Sequence, residues 1–312
     1  MQFDKLSLYP NYDLHTPDII ERSTLYFLEP INVGTIECES LISYLIRLAE
    51  VHCVTPDKLI KHKIYPLFWG QEDLSTKYQG IIGRTFTNRS HIKSLNFSGW
   101  YTSKLIESLE NLTKRSDLTC LTMMYWHELI TYVYLLRDSK AWCPLCYSYW
   151  HQKKLPIYEP LIWSFKPVAL CSQHHYPLIT ECPECHHKLS IIAPNSRIGY
   201  CNYCGEWLGD VDKYQVKSHT LYHSEIKLQS ELIKVLGSLI AFNSKVYEDE
   251  NRRFYRQIIT YFQLKELESL ESENYQISKK RIHESMSYIK HTIDDFWKLS
   301  SRINSSSLDI YS

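Results

Sequence analysis

Cys143-Pro-Leu-Cys146, Cys171-Ser-Gln-His174, Cys182-Pro-Glu-Cys185 and Cys201-Asn-Tyr-Cys204 follow one another in a single stretch of the chain. Each is a pair of metal-type ligands separated by two residues, the spacing at which one tight turn aims two side chains at a single ion. Two such turns complete a tetrahedron around zinc, so eight ligands provide for two Zn2+ ions. Seven of the ten cysteines of the chain lie in this stretch. Proline inside both Cys-Pro-x-Cys turns presets φ, and Gly205 after Cys204 accepts the positive φ common just past such turns. Sequential pairing gives Cys143, Cys146, Cys171 and His174 to one ion, and Cys182, Cys185, Cys201 and Cys204 to the other. Cross-bracing of the first and third turns against the second and fourth is the competing arrangement. In the sequential scheme residues 186–200 separate the second set's pairs, within the usual ribbon range. The longer insertion 147–170 carries Trp150, Trp163 and Phe165 as a candidate small core. Four protein ligands leave no open coordination position, so both ions are read as structural. His175, His186 and His187 read as surface or outer residues, and the remaining Cys38, Cys53 and Cys120 as buried small residues.

Outward from this block the periodicity is helical. Leu41, Ile42, Leu45, Ile46, Leu48 and Ala49 mark an amphipathic helix. Thr55-Pro56-Asp57 starts a second short one through Lys58, Leu59 and Ile60, giving a helix-turn-helix outline. Residues 70–99 read mainly as loop. Leu105, Ile106, Leu109 and Leu112 form another helical stripe, and Leu118 to Leu136 a longer one. Helices are expected again at 228–242, 254–270 and 282–299. The fold class expected is therefore mainly α with a small zinc-stabilised module. An extended segment spans 1–36, and a helical, helix-turn-helix-like domain spans 37–140. A tandem zinc-ribbon block of short hairpins and turns occupies 141–212. A C-terminal helical domain covers 213–299, and a flexible tail 300–312.

The bulk composition narrows the function. The 312 residues carry 35 Lys+Arg against 35 Asp+Glu, so no global positive field advertises a nucleic-acid partner, although local patches matter more than net charge. Lys77, Arg84, Arg89 and Lys93, with His91, form a basic run with no acid between them. Such a run grips phosphates of DNA or RNA, or contacts an effector, or is simply a solvated loop. Phosphate-loop, dinucleotide and nucleophile-elbow motifs are absent, and no H-E-x-x-H is completed. The expected protein is thus not an enzyme. Neither a signal peptide nor a membrane span is read, and the expected compartment is the bacterial cytoplasm, with no membrane partner.

Several stretches resemble the TniQ family, the target-selection proteins of Tn7-like and CRISPR-associated transposons. Glu37-Cys-Glu-Ser-Leu-Ile-Ser-Tyr-Leu-Ile-Arg-Leu-Ala49 is similar to the family's opening helix. Leu109-Glu-Asn-Leu-Thr-Lys-Arg-Ser-Asp-Leu-Thr-Cys-Leu-Thr122 is similar to its next block. Ala141-Trp-Cys-Pro-Leu-Cys146, Leu161-Ile-Trp163, Val168-Ala-Leu-Cys-Ser-Gln-His174 and Cys182-Pro-Glu-Cys185 resemble its zinc region. The resemblance covers roughly residues 28–210. It implies a non-enzymatic adaptor that links a target-bound complex, a CRISPR effector or attachment-site DNA, to an AAA+ ATPase transposition regulator. Residues 1–36 and the helices of 37–62 become the expected interaction surfaces, and homo-oligomerisation is left open. The alternative is a stand-alone, sequence-specific DNA-binding target selector.

Overall fold

The computed structural model describes residues 22–69, 92, 94–126, 136–214, 229–230, 232–234, 236–241 and 243. Its helices are α1 (Leu41–Val51), α2 (Pro56–Leu59), α3 (Tyr65–Trp69), α4 (Trp100–Thr113) and α5 (Pro144–Gln152). Every described position between 229 and 243 is also helical. Among the described residues there are only isolated β-bridges and no sheet. The expected helices at 254–270 and 282–299, the tail at 300–312 and residues 1–21 lie outside the described residues, as do Lys77, Arg84, Arg89 and Lys93.

α1 begins where Ser40 supplies an N-cap: its Oγ accepts from the Ser43 N–H at 3.2 Å. The next orphan donor, the Ile42 N–H, is taken by Asn96 Oδ1 at 3.0 Å. Leu41, Ile42, Tyr44, Leu45, Ile46, Leu48 and Ala49 are all buried, so the helix is enclosed on nearly every side. The chain leaves it at Cys53, which has φ 52° and is exposed. This corrects the expectation of a buried thiol, because a left-handed residue past a helix end turns its side chain outward; Cys38 and Cys120 are buried as expected.

The second helix runs further than expected. α2 passes through a π-helical turn, Ile60–Ile64, into α3. Pro66 gives the reason: it lacks an N–H and its ring displaces the carbonyl four residues back, so the turn before it widens. The Tyr65 N–H accordingly donates to Ile60 O, five residues back. The long helix expected from Leu118 is not formed over its described part. Residues Leu118–Leu121 and Met124–Trp126 are separate 3-10 turns, and 127–135 lie outside the described residues. Side chains compete here for the main chain. Thr122 Oγ1 donates to Thr119 O at 2.9 Å, and Asn243 Nδ2 donates to Cys120 O at 3.2 Å and Thr122 O at 2.6 Å.

A single apolar cluster runs from Leu25 through α1, α4 and the cysteine-rich stretch to Ile240. Polar groups stitch its parts together. Glu39, fully buried, accepts from the Ile31 N–H at 3.2 Å, the Ser43 hydroxyl at 2.8 Å and the Arg47 guanidinium at 2.5 Å. Ser43 Oγ in turn accepts from the Glu159 N–H at 3.0 Å. Glu159 Oε1 receives Lys140 Nζ at 2.6 Å and the Tyr147 hydroxyl at 3.1 Å. The Ser40 N–H reaches Glu159 O, and the Leu161 N–H reaches Cys38 O at 2.7 Å. The segment at 229–243 closes the other side. A Cβ on Gly237 would lie 2.3 Å from Ile36 Cδ1, so only glycine permits this approach. Gln229 there accepts from the Ala169 N–H and donates to Pro167 O.

Burial pushes Glu39 up to about 7 against the opposing pull of Arg47. Its folded value lies above its unfolded one, so this group makes stability fall as pH rises from about 4.5 to about 7. Arg47→Ala removes the counterion, raises the carboxyl further and extends that fall to higher pH. The variant should lose about 3–5 kcal/mol at pH 8 and clearly less at pH 6, measured by denaturant unfolding in zinc-containing buffer. An equal loss at both values would contradict the assignment.

Candidate metal centres

Cys143 caps the N-terminus of α5 and Cys146 lies in its first turn, with Pro144 at the position where a missing N–H costs nothing. The helix was not expected inside a block of hairpins and turns; the Tyr147-Ser-Tyr-Trp150 run that continues it is aromatic and lacks a clear stripe. The other three pairs share a different local geometry. The residue after each second ligand has positive φ: His175 at 49°, His186 at 57° and Gly205 at 78°. Its N–H donates to the carbonyl of the first ligand: His175 to Cys171 O, His186 to Cys182 O and Gly205 to Cys201 O, at 2.9–3.0 Å. One bridge closes each turn, Leu170↔Pro177, Glu181↔Lys188 and Tyr200↔Trp207.

These turns bring the eight ligands together in two sets. Cys143, Cys146, Cys171 and His174 offer donor atoms within 4.8 Å of one another, and so do Cys182, Cys185, Cys201 and Cys204. The grouping is sequential rather than cross-braced. In the first set Cys146 Sγ lies 3.5 Å from Cys171 Sγ, and His174 Nδ1 lies 3.3–3.7 Å from the three sulfurs. In the second, Cys182 to Cys204 and Cys185 to Cys201 are both 3.7 Å. A zinc tetrahedron with about 2.3 Å to sulfur and about 2.05 Å to nitrogen has edges of about 3.8 Å (S–S) and 3.6 Å (S–N). A disulfide would require about 2.05 Å. The donor sets therefore fit a tetrahedral, thiophilic divalent cation, and each set of four ligands closes the coordination sphere.

The electrostatics point the same way. Hydrogen bonds from Cys143 and Cys146 hold the Cys171 thiol well below its usual range, whereas burial pushes Cys182 up to about 12. Crowded, buried thiols cannot all ionise alone; a divalent cation supplies the countercharge. His175, His186 and His187 are exposed and outside both sets, and His187 stacks on Tyr203 at 4.6 Å. The insertion between the first set's pairs packs as an aromatic core. Trp150 stacks on Tyr158 at 4.6 Å and on Trp163 at 6.1 Å, and Phe165 is fully buried. Trp207 occupies the second half, with Gly199 and Gly209 on its ring; a Cβ at either would lie within 2.4–2.5 Å of it. No spacing or motif singles out Glu37, a buried residue far in the chain from the eight ligands. Its carboxylate accepts from the Ser172 hydroxyl, and burial raises its pKa.

Residues 30–178 match the sequence model of the TniQ family. This stretch, just under half of the chain, is similar to the TniQ family. TniQ is a non-catalytic accessory family whose role is target selection in Tn7-like transposition. The matched region holds α1, its Glu39 network and the whole first ligand set, but ends before Cys182, short of the expected 210. No curated protein matches the sequence. No helix among the described residues is long and apolar enough to cross a membrane.

Two closed sites predict two metal equivalents per chain by elemental analysis. Their ligands must shed protons to bind, so loss to a chelator should accelerate as pH falls from 7.5 to 5.5. A folded protein with fewer than two equivalents, or with pH-independent release, would contradict this reading.

Proposed function

We propose that this chain is a non-enzymatic adaptor in the bacterial cytoplasm. It links a target-bound complex, either a CRISPR effector or attachment-site DNA, to the AAA+ ATPase transposition regulator. The observation that carries the reading is the TniQ match over 30–178. Both candidate metals are Zn2+ ions in a structural role, since neither four-ligand set leaves a position for water or substrate. The ions then fix surfaces rather than perform chemistry. The N-terminal segment and the helix-turn-helix-like α1–α2–α3 unit are the surfaces offered to partners, by one copy or by a homo-oligomer.

One observation favours direct contact with DNA, the second reading. Along α2 and the π turn, Pro56, Leu59, Ile60, Ile64 and Tyr65 are buried, while Lys58, Lys61, His62 and Lys63 are exposed. The π turn has more residues per turn than an α-helix, so it draws Lys63 towards the face of Lys58 and Lys61. No carboxylate pairs with these lysines among the described residues. Such a face suits a phosphate backbone. Lys77, Arg84, Arg89 and Lys93 are further candidates for nucleic-acid or effector contact.

The purified chain should co-assemble with the ATPase from its neighbouring genes on DNA in the presence of ATP. Absence of any complex would refute the adaptor. On naked DNA, replacing Lys58, Lys61 and Lys63 with alanine should flatten the slope of log affinity against log salt by about 2–3. Affinity that is sequence-specific and retained at physiological salt would favour the stand-alone selector, and an unchanged slope would remove the lysine face from either reading.

A further inference from the structure

We propose that Glu37 is a positioning residue of the first metal site. Its carboxylate holds the Cys171–His174 loop in the ligating conformation, which couples metal retention there to the seating of residues 31–39. The inference rests on the reading that this set holds a metal.

The turns that present ligands differ in how well their own sequence fixes them. Cys143-Pro-Leu-Cys146 has proline between its ligands and continues into α5. Cys182-Pro-Glu-Cys185 also has an internal proline, and Cys201-Asn-Tyr-Cys204 is followed by glycine at φ 78°. Cys171-Ser-Gln-His174 has neither. No proline presets its φ, and the left-handed position after it is taken by His175 at 49°, where a residue with a Cβ is uncommon. This loop needs an external brace, and Glu37 meets it between the ligands, at the Ser172 hydroxyl.

The brace is itself rigidly mounted. The Ile31 N–H donates to Glu39 Oε2 and the Glu39 N–H to Ile31 O, which closes residues 31–39 on themselves. Asn32 Nδ2 donates to the Tyr158 hydroxyl at 2.7 Å. Thr35 Oγ1 accepts from the Glu37 N–H, and Ile36 is seated against Gly237. Glu37 is only 6% exposed and has no lysine or arginine partner among the described residues. A buried carboxylate depends on its hydrogen-bond donors, and here the Ser172 hydroxyl of the metal loop is one. Linkage is reciprocal: a site that holds the loop also holds the segment, and a released loop leaves the carboxylate without that partner.

The full-length protein loaded with cobalt provides the test, because a three-sulfur, one-nitrogen site and a four-sulfur site differ in their visible spectra. Total cobalt content checks the metal reading by itself, and a first set that takes up none overturns both that reading and this inference. Glu37→Ala and Ser172→Ala should each speed cobalt loss to a chelator from the three-sulfur site by about tenfold, with the four-sulfur site unchanged. The double variant should be no faster than the faster single variant, because both remove one contact. Glu37→Gln, which keeps an acceptor oxygen, should fall between wild type and Glu37→Ala. Hydrogen exchange should show faster exchange at 31–39 in both alanine variants. Unchanged release from the three-sulfur site, equal acceleration at both sites, or multiplicative effects in the double variant would overturn the proposal.

Discussion

Tetrahedral ligation is the constraint on which the other features of this protein rest. Between residues 136 and 214 the main chain forms one two-and-a-half-turn helix, short 3-10 turns and isolated bridges, with no ladder to hold them. Backbone hydrogen bonds in such a segment do not outweigh the entropy of ordering it. A structural zinc site contributes about 10–16 kcal/mol in model peptides at neutral pH, as much as the whole stability of a typical domain. Two such sites would give the segment a fixed shape, and the aromatic residues between the ligands fill what the turns enclose.

That shape matters because α1 is packed against it. Glu39, Ser43 and Arg47 succeed one another at four-residue spacing, so they share one side of the helix. Ser43 and Ser40 then bond the main chain at Glu159, whose side chain holds Lys140 and Tyr147 beside the first ligand pair. The residues of this chain that resemble the TniQ opening helix are therefore a joint. They bind the helical region to the metal-bearing one through buried hydrogen bonds, which tolerate little change because each lost partner leaves a desolvated group behind. For the adaptor role proposed above this would be a useful property. Surfaces that meet different partners stay in fixed relation only if the material between them does not yield.

Much of this was legible in the residue order. Which pairs share an ion is decided by the tertiary fold, whereas ligand spacing identifies the four pairs, because two residues between ligands is a local geometric requirement. The apolar rhythm from Leu41 to Ala49 gave α1 for the same reason. What escaped was non-local. The apolar stripe after Leu118 has helical spacing, but Asn243, far along the chain, captures the carbonyls that a helix would use. The π turn follows from Pro66, whose effect falls on the residues before it. α5 lies hidden in an aromatic run with little periodicity. Glu37 looks like one acid among 35 until Ser172 is placed beside it. Propensity and spacing report what a segment does alone, and tertiary contacts decide the rest.

The central claim is that the metal sites and α1 form one cooperative unit. Hydrogen exchange of the full-length protein, with and without a zinc chelator at pH 7.5, tests it most directly. Metal removal is predicted to abolish protection at Leu45–Val51 together with that at 171–182 and 201–208. Loss confined to the cysteine-rich stretch, with α1 still protected, would contradict it.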